Sequence, residues 1–160
     1  MTTVAFMTAK GQRQGDIAGS VTEKGREGTI ALSAVSYEIV TPYDPQSGHV
    51  SGKRQHKPVT IVKVIDQASP KLLQAMATNE VLTSVKIEFW RRTPEAAGPY
   101  FVITLTNALI VDFALGSPDA PERVGFAREE FETVAMTYQK IEWTWAPSGG
   151  SANDDWNAPV

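Results

Sequence analysis

The sequence predicts a mainly β domain with one short α-helix, on three observations. Apolar residues alternate at a period of two along four stretches, residues 29–41, 83–92, 101–115 and 134–145, and this is how a strand sends successive side chains to opposite faces. The connections between these stretches are rich in glycine and proline, the strongest local breakers. Only residues 69–79 combine helical spacing of apolar residues with a helix start signal.

At 160 residues, with 42% hydrophobic and 21% charged side chains, the chain fits one domain that buries roughly two thirds of its unfolded surface. Residues 1–146 are assigned to that domain. Residues 147–160 (PSGGSANDDWNAPV) read as a disordered tail in which Trp156 is a lone aromatic. No apolar run approaches the roughly 20 residues of a membrane-spanning helix, so no membrane insertion is expected. The net charge of −3 and pI near 5.4 offer no general attraction to phosphate backbones, and nucleic acid is not an expected partner. The start, MTTVAFMTAKGQRQG, lacks the order of basic, apolar and small residues of a secretory signal. With no cysteine, disulfides, thiolate catalysis and Cys-based metal sites are excluded.

Residues 4–7 start the first strand, and Gly11, Gly15, Gly19, Gly25 and Gly28 then mark turns and loops. The pattern from Gly11 to Asp16 lacks the lysine and hydroxyl of a phosphate loop. In residues 29–41, Ile30, Leu32 and Ala34 share one face and Val35, Tyr37 and Ile39 take the other. Such a slip suits a strand bent by a bulge, as in a strongly coiled sheet or barrel wall. Residues 59–65 are apolar on both faces, with Val59, Ile61 and Ile65 opposite Val62 and Val64, so a central strand covered by the following helix is expected.

Ser69 and Pro70 suit the N-cap and first position of that helix. Leu72, Leu73 and Met76 form its packing stripe, and Asn79 suits the residue after its C-cap. Residues 83–92 form a half-exposed strand, with Val85, Ile87 and Phe89 on one face and Lys86, Glu88, Trp90 and Arg92 on the other. From Phe101, every odd position except Asn107 is apolar to Leu115. One straight strand would run roughly 50 Å at about 3.3 Å per residue, so a bend near Asn107, or a strand shared between two parts of a barrel, is expected. In residues 134–145, Val134, Met136 and Tyr138 alternate, then Ile141, Trp143 and Trp145 continue one residue out of phase. A bulge near Gln139 and Lys140 would account for that.

Between strands, residues 42–58 hold three prolines, two glycines and the cations or potential cations Lys53, Arg54, His56 and Lys57. Long loops in compact domains are usually functional or disordered, so either a mobile tip or a loop docked on a neighbouring subunit is open here. Asp44, His49 and His56 match no metal-site spacing and read as solvated loop residues. Adjacent Glu129 and Glu130 point to opposite faces of a strand and are no acid–base pair. With no Ser-His-Asp context, metal cluster or nucleotide fingerprint, neither catalysis nor a cofactor is expected.

Three segments, residues 52–66 (GKRQHKPVTIVKVID), Ser69–Ala77 (SPKLLQAMA) and 138–145 (YQKIEWTW), make the chain resemble the Hcp family, the tube subunits of bacterial type VI secretion systems. The glycine-rich segment from Gly11 to Gly28 departs from the family's motifs. The resemblance implies a closed β-barrel of two packed antiparallel sheets with one short helix at its side. It further implies hexameric rings that stack into a hollow tube, able to hold effectors and expelled by a contractile sheath with its spike. The protein would be cytoplasmic before firing and secreted afterwards, without a signal peptide. The long loop, with Tyr43, Asp44, His49, Lys53, Arg54, His56 and Lys57, would lie at contacts between subunits or rings.

A ring needs a closing interface in which one patch meets a different patch on the next copy. The face of Lys86, Glu88, Trp90 and Arg92 is a second candidate for it, and Glu122, Glu129 and Glu132 are candidate partners for the loop's cations. The alternatives are a phage-like tail-tube subunit outside type VI secretion and a small-ligand-binding β-barrel.

Overall fold

A computed structural model of the chain describes residues 3–92, 97–117 and 130–157, without the side chains of Arg92 and Ala97. In chain order its elements are β1 (Ala5–Gly11), β2 (Gly15–Ile17), β3 (Ile30–Leu32), β4 (Ala34–Ser36), β5 (Ile39–Val40), β6 (Gln55–His56), β7 (Val59–Val64), α1 (Ser69–Ala77), β8 (Leu82–Arg92), β9 (Ala97–Gly116), β10 (Phe131–Thr137), β11 (Lys140–Trp145) and β12 (Gly150–Asp155). The fold is mainly β with one short helix. Ten strands form one sheet through the antiparallel path β2-β1-β8-β9-β10-β7-β4, with β3 on β1, β11 on β9 and β12 on β11, while β5 and β6 pair apart.

The sheet is organised on β9, whose 20 residues pair with β8 on one side and with both β10 and β11 on the other. One strand can serve two partners because it is creased. Asn107 has φ 52, and asparagine tolerates the left-handed region better than most residues. Leu105 is buried before it, and Ala108 and Ile110 after it. The same change of phase crosses the neighbouring strands: Leu82 and Val85 are both buried on β8, as are Tyr138 and Ile141 between β10 and β11. The Gln139 N–H donates to the Thr106 carbonyl at 3.0 Å, and Asn107 Nδ2 donates to Gln139 Oε1 at 2.8 Å, tying the crease across the strands.

The unbroken odd phase expected on β9 is therefore corrected. Leu109 and Val111 face solvent, and a second register shift, between Met136 paired to Ile110 and Ala135 paired to Asp112, leaves Val111 as the extra residue. Odd positions return inward only at Phe113, opposite buried Val134. The slip in residues 29–41 lies at Ser33, so Ala34 is exposed and does not join Ile30 and Leu32.

The helix also differs from expectation. Leu72 and Ala75 are fully buried and Met76 partly so, but Leu73 is 42% exposed and drops out of the packing stripe. The N-cap position is Ala68, not Ser69, and no side chain caps the start of the helix; Asp66 Oδ1 instead fixes the turn before it by accepting from the Ala68 N–H at 3.0 Å. Asn79, with φ 52, follows the C-cap Thr78. The helix does not cover the second face of β7, where Thr60, Val62 and Val64 stay half-buried. It packs against β9, and reaches β7 on the first face, where its Ser69 meets Lys63.

That meeting is a buried polar cluster the pattern reading passed over. Lys63 and Glu132 are paired across β7 and β10 and both are fully buried. Lys63 Nζ lies 2.6 Å from Glu132 Oε2, 2.9 Å from Asp66 Oδ1 and 3.0 Å from Ser69 Oγ, and Ser69 Oγ donates to Glu132 Oε2 at 3.0 Å. Glu132 is thus removed as a partner for the loop's cations. Glu122 and Glu129 lie outside the described residues.

Among the glycines, Gly15 turns the β1–β2 hairpin with φ 72, and Gly19 passes so close to the backbone at Thr29 that a Cβ would overlap its carbonyl oxygen.

Candidate assembly surface: the long loop and the C-terminal strand

The long loop is an ordered arm. Tyr43 and Val50 form an antiparallel bridge, the Asp44 N–H donates to the His49 carbonyl at 2.8 Å, and the Ser51 N–H to that of Pro42 at 2.9 Å. Asp44 holds the tip: Oδ1 accepts from the Gln46 N–H at 3.0 Å and Oδ2 from Ser47 Oγ at 2.9 Å. The Gln46 amide, with help from Ser47, keeps its carboxyl below the usual carboxylate range. Because an aspartate can turn back on its own backbone, the sequence D-P-Q-S-G closes this tip without a longer strand. Tyr43 is 62% exposed and Val50 68% exposed, and His49 and Lys53 are exposed beside them.

The base of the arm is fixed by the C-terminal strand. The segment expected to be a disordered tail forms β12, which pairs with β11 from Lys140–Asp155 to Trp145–Gly150. Its composition is poor in strand formers, but a tight turn after Trp145, where the Gly149 N–H donates to the Trp145 carbonyl at 2.9 Å, supplies the register. Asp154 then receives two groups from the arm. Arg54 meets it fork to fork, through Nε on Oδ2 and through Nη2 on Oδ1 at 2.8 Å, and Nη2 also donates to the Asp155 carbonyl at 2.9 Å. His56 Nε2 lies 2.7 Å from Asp154 Oδ2, while Nδ1 lies 2.9 Å from the Tyr37 hydroxyl.

His56 is therefore no solvated loop residue: it is 4% exposed inside an aromatic cage. Tyr37 stacks on it at 6.3 Å, Tyr138 stands edge-on at 5.8 Å and Trp156 tilts against it at 5.5 Å. Trp156, expected to fray, also packs on Tyr138 at 5.7 Å. The Tyr138 hydroxyl donates to the Lys57 carbonyl at 3.1 Å, anchoring the end of the arm. Burial raises both the Tyr138 and the Tyr37 hydroxyls above the usual phenol value, so both stay neutral hydrogen-bonding groups at ordinary pH.

Hydrogen bonds from Arg54, opposed by burial and reinforced by His56, hold Asp154 below the usual carboxylate range. A carboxyl whose folded-state pKa is depressed stabilises above its unfolded value, about 3.9, and loses that contribution as pH falls through the folded value. Amide protection in β12, corrected for intrinsic exchange, is thus expected to persist at pH 5 and to fall below about pH 4. Loss of protection already at pH 5 would contradict the assignment.

The second candidate surface, on β8, is partly used within the subunit. Lys86 Nζ lies 3.2 Å from Glu88 Oε1, and Trp90 Nε1 donates to Glu88 Oε2 at 3.2 Å. The Arg26 guanidinium, ion-paired to Glu23, sits 4.5 Å over the Phe6 ring and 4.6 Å over that of Trp90. The Arg92 side chain lies outside the described residues. Among the described residues no group of three or more His, Asp or Glu is placed to hold a metal ion.

A family model described as type VI secretion system effector, Hcp, matches residues 6–145. The chain is 38% identical to the major exported protein of Pseudomonas aeruginosa over 174 aligned positions, covering 100% of this chain and 99% of that one. Among solved structures, an Hcp protein crystal structure superposes with a TM-score of 0.88 at 29% identity, covering 97% of this chain and 100% of the other. The secreted protein Hcp3 from Pseudomonas aeruginosa gives 0.77 at 30% identity, covering 98% and 100%.

Proposed function

The chain belongs to the Hcp family of type VI secretion tube and effector proteins, structural and non-enzymatic, and from that premise we propose that it forms hexameric rings that stack into an exported hollow tube. The subunit waits in the cytoplasm and leaves with the tube, driven by a sheath and tipped by a spike, with effectors held in the lumen. The closed barrel belongs to this reading. β3 lies on β1 and β4 on β7, the Ser33 N–H between them donates to the Val62 carbonyl at 2.7 Å, and so one bent segment joins the two ends of the run β1-β8-β9-β10-β7.

The observation that carries the proposal is the arm: an ordered loop that leaves Tyr43 and Val50 in solvent has apolar surface suited to a neighbouring copy. Lys53 and His49 beside them add polar contacts at the rim, and Lys86, half-exposed on β8, extends the contact zone. Asp44 sets the tip, whereas Arg54, His56 and Lys57 hold the base. The test is native mass spectrometry with negative-stain imaging of the full chain. Hexameric rings are expected, and a strict monomer at high concentration refutes the proposal. Lys53→Glu is expected to weaken ring stacking with a parental melt, because an exposed charge contributes little to the subunit's own stability. Unchanged stacking across salt concentrations would remove Lys53 from the interface.

A further inference from the structure

The arm and the chain's last described strand are far apart in sequence, yet that strand supplies the carboxylate on which two side chains of the arm's base converge. β6, the two-residue element at this base, pairs with Ile39 and Val40 and is extended by the Lys57 N–H donating to the Glu38 carbonyl at 2.9 Å, and so short a ladder does not fix a long loop by itself. Against it stands a single carboxylate, Asp154, that accepts from both Arg54 and His56. The two sides meet through contacts at their ends: Arg54 and His56 from the arm's base both reach Asp154, and Trp156, just past β12, closes the arrangement by packing on the His56 ring. Arg54 and Asp154 are both about four-fifths buried, at 17% and 20% side-chain exposure, so their fork is shielded from the screening that weakens surface pairs.

We infer that Asp154 is the positioning residue of the arm: by binding Arg54 and His56 together it sets where residues 42–53 stand on the subunit, and so the C-terminal hairpin supports the assembly surface from within the subunit. This rests on the reading of the arm as an assembly element. A change in the last strand is then transmitted to a contact it does not itself make.

Hydrogen exchange of the full chain tests it, comparing residues 42–57 with β7 in the core, in Asp154→Asn and in Arg54→Ala. Arg54→Ala removes the fork from the arm's side without altering a residue of the β11–β12 ladder. In both variants the arm is expected to exchange about tenfold faster or more, with β7 unchanged. Arm exchange at the parental rate in either variant overturns the inference. So does core exchange that accelerates in step with the arm, since the contact would then be an element of global stability. Ring stacking is measured on the same samples. A released arm with weakened stacking supports both readings. A released arm with intact stacking refutes the arm's role in assembly and leaves its positioning by Asp154 standing.

Discussion

Lys63→Ala is expected to destabilise the subunit by about 3–5 kcal/mol, since it deletes the cation that sits between two buried carboxylates. Glu132 has no exposure and Asp66 little, and the ammonium touches both, at 2.6 and 2.9 Å. Without it Ser69 Oγ is, among the described residues, the remaining close partner of Glu132 Oε2, and Oε1 has no hydrogen bond among those residues either. An unpaired buried charge is among the costliest single defects a fold can hold. For a chain of this size the loss corresponds to a fall in melting temperature of roughly 6–20 °C. The double variant Lys63→Met, Glu132→Leu is expected to recover part of it, because replacing a buried pair by apolar groups of similar volume is often neutral, while Asp66 is left with its Ala68 N–H partner in place of the ammonium. Denaturant titration of the three proteins checks this. A single variant within 1 kcal/mol of the parent would mean that water reaches the cluster.

This cluster was legible in principle. Lys63 continues the inward series Val59, Ile61, and Glu132 begins the inward series Val134, Met136, so each is a charge on an apolar face. Opposite charges on two such faces signal a cross-strand pair, but pairing of β7 with β10 is a tertiary fact that period-two patterns do not contain. The crease was half legible. The phase slip near Gln139 and the excessive length of the 101–115 run both pointed to it, yet the apolar odd positions continue through Asn107. Leu109 and Val111 are apolar on an outer face, and alternation alone reads them as core.

The C-terminal strand was hidden for a different reason. Gly, Ser, Asn and Asp in residues 150–155 have low strand propensity, and what holds them is the ladder to β11 plus the Asp154 contacts. Within the arm, His56 reads as solvated and Arg54 as a loop cation, and only the family resemblance puts both at an assembly contact, because their partner lies about 100 positions away. Asp-Asp-Trp near the end is an acidic and aromatic counterpart to Lys-Arg-Gln-His, and that complementarity was the signal available.

The helix separates propensity from packing, and Leu72 decides it. Nine residues are too few for a helix to persist alone in water, so α1 exists because one face is covered. Leu72 carries the largest apolar side chain on that face and has no exposure, with Ala75 one turn on. Leu72→Ala is expected to destabilise by about 2–5 kcal/mol, the transfer of the lost methyl groups plus the cavity left beneath the helix. Leu73, 42% exposed, points away, and Leu73→Ala is expected to stay within about 0.5 kcal/mol of the parent. Thermal melts of the two variants form the test, and equal losses would mean that the helix is rotated from the orientation described. A parental melt for Leu73→Ala leaves open to measurement why a leucine stands on the outer face. If that variant also assembles less well, the outer face of α1 joins the arm as a subunit contact. If it assembles as the parent does, Leu73 serves the helix through its propensity alone.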